Sequence, residues 1–274
     1  MDAVELPHWL DALRRGQVTD RVRNDPRSRG DALFGIDRDR AFEAIGGGQA
    51  DFDAPRGDLS PDDLVLLYAY LNQKGHLQEL IAAFGQLLAG SKPPNPIVVD
   101  IGCGPFTGGL ALAATLGDDP RFDYVGVDRA DSMRRLGELL ASSALVPGRV
   151  TTHWAPNIGS VQWHRPPGWR DVIVIVSYLF ASPTLDAEGM FTDLNRLFRR
   201  LGHGAVTLLY TNSTREEPNR QYPAFRKRLV EAGFQVRAED RGEIVVERSN
   251  RPQSRRLYYA LFHRPRRRSL PLGG

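Results

Sequence analysis

The chain of 274 residues contains one cysteine, Cys103, which excludes an internal disulfide and a zinc site built on several thiolates. It has no His-x-x-x-His pair and no carboxylate cluster at ligand spacing, so no metal site is predicted. The longest apolar run, Val172 to Val176 with its short continuation, is well below the ~20 residues of a membrane helix. The first residues lack the basic and apolar segments of a secretory leader. We therefore expect a cytoplasmic protein with no membrane partner.

Charge is distributed unevenly along the chain. The net charge is +3, but residues 248–274 hold eight arginines and no acid, which leaves a net charge of −5 on residues 1–247. Such a basic end fits contact with RNA phosphates or an anionic partner, and it fits equally well solvated arginines that flank a strand. The apolar fraction of 41% and the charged fraction of 25% are typical of globular proteins.

The composition changes near residue 95, and we predict that the chain consists of three structural parts. Residues 1–95 are expected to form an N-terminal helical cap, in which 14–58 is loosely organised and the glycines 46–48 form a surface linker. A helix begins at Ser60-Pro61 and a second one follows Gly75. Residues 96–264 are predicted to form the main α/β domain, and residues 265–274 a basic flexible tail.

After residue 95, strand and helix patterns alternate, which favours a parallel sheet covered by helices on both faces. Two later strands are expected within 234–247 and at 257–263, and the residues from 154 to 170 favour no full helix. The predicted strands are 97–101, 123–128, 149–153, 171–177 and 204–211, and the predicted helices are 108–117, 130–142, 186–201 and 219–232.

The most informative segment joins the first predicted strand to the first helix after it. An apolar run containing Asp100 meets the turn Gly102-Cys103-Gly104, and glycines there allow a ligand to approach the backbone closely. The second strand ends at Asp128, which lies 24 residues beyond Gly104. That separation is close to the one at which a Rossmann-like fold brings a carboxylate to the ribose of its ligand.

These two segments, 98–105 and 125–128, resemble the first and second motifs of class I S-adenosylmethionine-dependent methyltransferases. The resemblance implies the strand order 3-2-1-4-5-7-6, with an antiparallel seventh strand supplied by 257–262. It also implies that Asp100, Gly102 and Gly104 hold the methionine end of the cofactor and that Asp128 holds the ribose. The other implied cofactor-binding residues are Cys103, Pro105, Arg129, Ala155, Asn157, Ser177 and Tyr178, the last two facing both donor and acceptor.

The chain departs from the family pattern at three places. Phe106 and Thr107 stand where many members continue with glycines, and Asn157 stands where an acid often accepts from the adenine amino group. The segment 177–183 is not the Asn/Asp-Pro-Pro-Tyr of enzymes that methylate DNA amines, so DNA amine methylation is not expected. Cys103, inside the glycine turn, is expected to pack and not to act as a nucleophile.

The resemblance implies methyl transfer from S-adenosylmethionine, with S-adenosylhomocysteine as product, to an acceptor that the sequence does not identify. We expect a small molecule, methylated at oxygen or nitrogen by in-line displacement, with the cap closing over the site. Tyr178, Tyr68 and His76 are the candidate catalytic residues. Three alternatives stay open: an RNA methyltransferase that uses the arginine-rich C-terminal region, an NAD(P)-dependent oxidoreductase, and a non-catalytic scaffold with the same fold.

Overall fold

The central feature is a seven-stranded sheet with the order β3-β2-β1-β4-β5-β7-β6. The computed structural model describes residues 4–88, 92–145, 148–182, 184–248 and 251–266. The first five strands run parallel, and β7 lies antiparallel between β5 and β6. The predicted strand order is confirmed. The strands are β1 (Ile97–Ile101), β2 (Phe122–Val127), β3 (Val150–Ala155), β4 (Val172–Ser177), β5 (Val206–Ser213), β6 (Gln235–Arg248) and β7 (Arg251–Arg264).

Helices cover both faces of the sheet, as buried parallel strands require. Leu110 and Leu140 share one apolar core with the N-terminal helices, and Leu194 and Phe225 lie in the core on the other face. Among the described residues, no helix has the length and apolar character needed to cross a bilayer. The helices are α1 (His8–Arg14), α2 (Asp20–Arg23), α3 (Arg38–Ala44), α4 (Pro61–Tyr68), α5 (Lys74–Leu87), α6 (Thr107–Leu116), α7 (Asp131–Ala144), α8 (Ala187–Leu201), α9 (Glu216–Asn219) and α10 (Tyr222–Glu231).

The N-terminal part is more ordered than the sequence indicates. Leu33, Ile45 and Phe52 are buried in the core, so the expectation of loose organisation over 14–58 is wrong. The glycines 46–48 form a 3-10 turn, and a Cβ at Gly48 would lie 3.4 Å from the ring of Tyr68. Gly46 and Gly47 lie at the surface as expected, whereas Gly48 is half-buried against Tyr68.

The predicted break at Gly75 is also wrong. Between α4 and α5 the backbone passes through a π-helical turn, Ala69–Gln73, and Gly75 lies inside α5. At the C-terminal end, the predicted helix 219–232 is found as α10, and the short helix α9 before it was not predicted. The residues between β3 and β4 form only the 3-10 turn Ile158–Ser160, which confirms that no full helix lies there.

The last two strands form a hairpin that extends beyond the rest of the sheet. β5 pairs with β7 only over 257–264, whereas residues 251–256 of β7 pair with 243–248 of β6 alone. We call these two segments, 243–248 and 251–256, which pair with each other and not with β5, the arm. Val246 of the arm is fully buried, and a Cβ at Gly75 would lie 3.6 Å from its Cγ2. The arm therefore packs on α5. Residues 267–274 of the predicted tail lie outside the described residues.

Candidate functional site

The glycine turn lies at the carboxyl end of β1 and is held by β2. The amides of Gly102 and Cys103 donate to the carbonyl of Val127 at 2.8 and 3.1 Å. Gly102 and Gly104 have φ angles of 70° and 49°, a region that favours glycine. A Cβ at Gly104 would meet only the Tyr68 ring, at 4.0 Å. The backbone at Gly104 is therefore open to a ligand beneath Tyr68, whereas a Cβ at Gly102 would lie 2.9 Å from Leu179 Cδ1.

Asp128 closes the same edge of the sheet from the end of β2. Its Oδ2 accepts from the Gly104 amide at 2.9 Å, and its Oδ1 accepts from the Ala130 amide at 3.0 Å. Burial raises the pKa of Asp128 although both amides act in the opposite direction. A carboxylate has about four acceptor positions, so two remain for a ligand diol. The Asp128 amide donates to Ala155 O at 3.1 Å, and the exposed Arg129 donates to Thr184 Oγ1 at 3.1 Å.

Asp100 is turned toward the interior. Its carboxyl group is nearly inaccessible, accepts from the Tyr124 hydroxyl at 2.7 Å and is bonded by the Gly108 amide. Burial raises the pKa of Asp100 to about 7, against the effect of the Tyr124 hydrogen bond. A Cβ at Gly108 would lie 2.3 Å from Asp100 Oδ2. The carboxyl group therefore occupies the first turn of α6, and Cys103 is buried beside it with its pKa raised by burial.

The three predicted catalytic candidates converge at the carboxyl edge. The rings of His76, on α5, and Tyr178, after β4, have centroids 4.4 Å apart. Tyr178 has a φ of 56°, and its amide is held by Thr211 O at 2.9 Å. Burial, followed by the charge of Asp128, raises the pKa of Tyr68 to about 12. The fold thus brings together the three residues that the sequence prediction named.

Two charged residues that the sequence analysis did not single out lie beside this group. Glu79 on α5 and Arg255 of the arm form an ion pair with Nη1 and Oε1 2.6 Å apart, and the Glu79 side chain is 1% exposed. The Arg255 guanidinium lies 5.7 Å from the Tyr178 ring. Burial and then the Glu79 charge raise the pKa of Tyr178. The pair joins positions 176 residues apart, so no local pattern signals it.

Two predicted cofactor residues use their side chains locally. Asn157 Oδ1 accepts from the Ser160 amide at 2.9 Å and caps the 3-10 turn after β3. Ser177 Oγ accepts from Thr211 Oγ1 at 2.9 Å. Each could contact a cofactor only with its remaining atoms or after breaking this bond.

The N-terminal part supports the turn through Gln73. The π-helical turn places Gln73 so that its Nε2 donates to the carbonyl of Pro105 at 3.0 Å. Arg14 in turn donates to Gln73 Oε1 and to the carbonyl of Ala69, each at 3.2 Å. Because a π turn displaces helical hydrogen bonds, the Arg14 contact supplies a donor to a carbonyl in the irregular segment. The cap therefore fixes the back of the glycine turn.

The same part also holds the loop that follows Asp128. Asp53 accepts from the amides of Asp131 and Ser132, at 2.8 and 2.9 Å, and so caps α7 from a distant segment. The position before α7 is Ala130, whose side chain cannot cap a helix. Within the described residues, no group of three or more His, Cys, Asp or Glu side chains is arranged to hold a metal ion.

The strand order is the one that the resemblance to class I methyltransferases implies. Neither a scan against family models nor a search of curated proteins found a match. Similar solved structures include the magnesium protoporphyrin IX methyltransferase of Synechocystis PCC 6803 with bound SAM, at 15% identity and a TM-score of 0.46, covering 83% of this chain and 94% of that one. A SAM-dependent methyltransferase of Methanosarcina mazei has 13% identity and a TM-score of 0.43, covering 66% and 98%. The methyltransferase domain of bacterial CtHen1 has 16% identity and a TM-score of 0.42, covering 68% and 98%.

Proposed function

We propose that the chain transfers a methyl group from S-adenosylmethionine to a small-molecule acceptor. The observation that carries this proposal is the junction of the glycine turn with Asp128, whose carboxylate lies 2.9 Å from the Gly104 amide at the carboxyl edge of the sheet. Open sheets of this kind bind ligands at that edge, beside the first strand. The turn can receive the amino acid end of the cofactor while Asp128 accepts from the ribose hydroxyls.

The position of Asp100 argues against a dinucleotide. A pyrophosphate would need the amides at the start of α6, where helix N-termini bind anions. In this chain the Gly108 amide already bonds Asp100, and a buried carboxyl group fills the space beside it. An anionic cofactor would have to displace that group, whereas a cofactor whose sulfur is cationic does not need those amides. This arrangement supports methyl transfer over hydride transfer.

The cofactor supplies a methyl group on a sulfonium, which an acceptor atom attacks in line with the breaking bond. Much of the rate enhancement of such a displacement comes from holding the two partners in line. Asp128 orients the ribose, Gly102 and Gly104 allow close approach of the backbone, and the Tyr68 ring covers the turn.

The acceptor side is enclosed by three separate segments. Helix α5 contributes His76 and Glu79, the segment after β4 contributes Tyr178, and the arm contributes Arg255. Because these side chains pack against one another, we propose a small acceptor and not a long polymer at this point. For a hydroxyl acceptor, His76 is the candidate general base, whereas an amine that is already neutral needs none.

Calorimetric titration tests the cofactor. We expect S-adenosylmethionine and S-adenosylhomocysteine to bind and NADH not to bind. The change Asp128→Ala should weaken the two sulfur ligands at least tenfold, since hydrogen bonds to a charged group contribute about 1.5–3 kcal/mol. Asp118→Ala, which removes an exposed acid outside the site, is the matched control. Absence of binding, or equal affinities for the two variants, would disprove the proposal.

The proposed acceptor side is tested by single substitutions, because removal of the N-terminal part would disturb the fold. Residues of α1, α4 and α5 share the core of one sheet face, so removal of the first 90 residues would expose that core. We expect Tyr178→Phe and His76→Ala to keep the affinity for S-adenosylmethionine within about threefold. The same variants should lose methyl transfer from labelled cofactor to the acceptors found in a small-molecule screen. If both variants transfer the methyl group at the wild-type rate, neither residue takes part in the reaction.

A further inference from the structure

Phe106, two residues after the glycine turn, has a backbone conformation that bulky side chains rarely adopt. Its φ of 64° and ψ of 24° lie in the left-handed region, and Gly102 and Gly104 also have positive φ angles. A phenylalanine in this region is an outlier, and such residues persist only where the surrounding structure fixes them. The contacts around Phe106 must therefore hold it in a conformation that it does not favour by itself.

The side chain and the carbonyl of Phe106 are held by the sheet and by α6. The ring is fully buried, and a Cβ at Gly109 would lie 2.0 Å from its Cε2, so the ring rests on the first turn of α6. Its centroid lies 4.6 Å from that of Tyr124, edge to face. The Phe106 carbonyl accepts from the Leu110 amide at 3.0 Å. None of these contacts involves the carbonyl of Pro105, which belongs to the peptide group just before Phe106.

That carbonyl is held from the N-terminal part of the chain, by Gln73. The Gln73 Nε2 donates to Pro105 O at 3.0 Å, and Gln73 is buried, so the bond is shielded from water. Arg14 fixes the orientation of the Gln73 amide, because its Nε donates to Gln73 Oε1 at 3.2 Å. An arginine side chain has only donors, so the amide oxygen must face Arg14 and the amide nitrogen must face Pro105. The amide cannot turn over without loss of both bonds.

Gln73 is the last residue of the π-helical turn Ala69–Gln73. Arg14 also donates to the carbonyl of Ala69, the first residue of that turn, at 3.2 Å. Single π turns inside α-helices are found frequently at functional sites. Here the irregular turn and the arginine that binds it direct one buried donor to one carbonyl beside the glycine turn.

A strained residue, a buried donor on the carbonyl before it and a cation that orients the donor together form one connected arrangement. We propose that Gln73 is a positioning residue of the cofactor site, which holds the peptide group before Phe106 and so keeps the glycine turn in its binding conformation before the cofactor arrives. The inference rests on the proposed function, because it takes this turn as the part that receives the amino acid end of S-adenosylmethionine. Such preorganisation raises affinity, since the ligand does not have to order the turn.

Hydrogen exchange of the cofactor-free protein, followed by mass spectrometry, tests the effect on the turn itself. In Gln73→Glu the new carboxylate keeps an acceptor for Arg14 but presents an oxygen to Pro105 O where the donor was. We expect the amides of residues 106–110 to exchange about tenfold faster in this variant, because local opening of the segment becomes easier.

The matched control is Gln78→Glu. Gln78 is also a buried glutamine, it lies on α5, and its Nε2 donates to the carbonyl of Val4 at 2.7 Å. The same substitution there removes the same kind of bond without a change at the glycine turn. Exchange of residues 106–110 in this control should match that of the wild type.

Calorimetric titration with two ligands separates positioning from a general loss of structure. Gln73→Glu should bind S-adenosylmethionine about tenfold more weakly, because the ligand must now order the turn. 5′-Methylthioadenosine lacks the amino acid part, so its affinity for this variant should stay within about threefold of the wild-type value. Gln78→Glu should bind both ligands as the wild type does.

The inference is wrong if Gln73→Glu exchanges and binds as Gln78→Glu does, since the Phe106 ring alone would then fix the turn. An equal loss of affinity for the two ligands, or faster exchange with unchanged affinity, also overturns it. If the wild type itself does not bind S-adenosylmethionine, the proposed function fails together with the role of Gln73 in cofactor binding, and the exchange result shows only whether Gln73 holds the turn. Gln73→Met, with Gln78→Met as control, repeats the comparison without a buried charge and decides the outcome if Gln73→Glu does not fold.

Discussion

Replacement of Asp53 by alanine should destabilise the protein and weaken its hold on the cofactor. Both carboxylate oxygens of Asp53 accept from amides in the first turn of α7, those of Asp131 and Ser132. The helix has no cap of its own, since Ala130 precedes it. Asp128 accepts from the Ala130 amide at the same loop. Two carboxylates therefore fix the backbone of 128–132, and removal of one leaves two amides without a protein partner.

The magnitude follows from helix capping. Substitution of an acidic cap by alanine costs typically about 1 kcal/mol, and the Asp53 side chain is partly exposed, so a larger value is not expected. For a chain of this length that corresponds to a fall in melting temperature of about 2–4 °C. Desolvation acts to raise the pKa of Asp53, but the amides of Ser132 and Asp131 outweigh it and lower that pKa. The contribution of the Asp53 carboxylate to the free energy of unfolding is thus present at neutral pH, and it is lost as the pH falls through and below the usual pKa range of an aspartic acid.

Thermal unfolding followed by circular dichroism at pH 7 and pH 3 measures the effect on stability, and calorimetry measures the affinity for S-adenosylmethionine. Asp58→Ala, an exposed acid five residues away, is the control. We expect the difference between the Asp53 and Asp58 variants to be smaller at pH 3 than at pH 7. The affinity of the Asp53 variant should fall a few-fold, much less than that of the Asp128 variant. If the two variants melt together at pH 7, the distant cap contributes nothing and the argument fails.

Three further outcomes are expected. Gly108→Ala places a Cβ 2.3 Å from Asp100 Oδ2 and should lower the free energy of unfolding, measured in urea, by about 1–3 kcal/mol. The control Gly85→Ala lies in a helix with open space around the new Cβ, so it should leave that free energy unchanged or raise it. Because the pKa of Asp100 is raised to about 7 in the folded state, its contribution to stability should decrease as the pH rises from about 4 to 7, and Asp100→Asn should remove that slope. Arg255→Gln leaves Glu79 buried without its cation, and since Arg255 is 25% exposed we expect a loss at or below about 3 kcal/mol. Glu79→Gln added to it should restore part of that loss, and strictly additive effects would show that the pair is not coupled.

The junction of the glycine turn with Asp128 could be predicted because it is encoded by nearby residues. The buried run of β1, the turn at Gly102 and the acid at the end of β2 each leave a local pattern, and the right-handed βαβ connection brings their ends together. The strand order is confirmed too, but it was implied by the resemblance and not by local patterns. What local patterns did not show is the direction of the Asp100 side chain, because its neighbour Tyr124 belongs to the next strand.

The order of residues 14–58 was missed because the apolar residues there leave no regular period. α1 and α2 are joined by the π-helical turn Arg15–Thr19, which shifts the period of apolar residues within that helix, whereas Leu33 and Ile45 lie outside the helices and leave no period. The bond from Asp53 to Ser132 spans 79 positions. The break predicted at Gly75 follows from its low helix propensity, which packing against Val246 of the arm outweighs.

The two halves of the site therefore differ in how they depend on the rest of the chain. The turn and Asp128 are fixed by the sheet, with additional bonds from Gln73 and Asp53. The proposed acceptor side depends on contact between α5 and the arm, and their buried ion pair costs desolvation that apolar residues would not. The ion pair between Glu79 and Arg255 therefore adds little net stability, but it sets the position of the arm relative to Tyr178. We propose that it thereby specifies the shape of the acceptor pocket. Changes in the arm can then alter the acceptor while the cofactor junction stays intact.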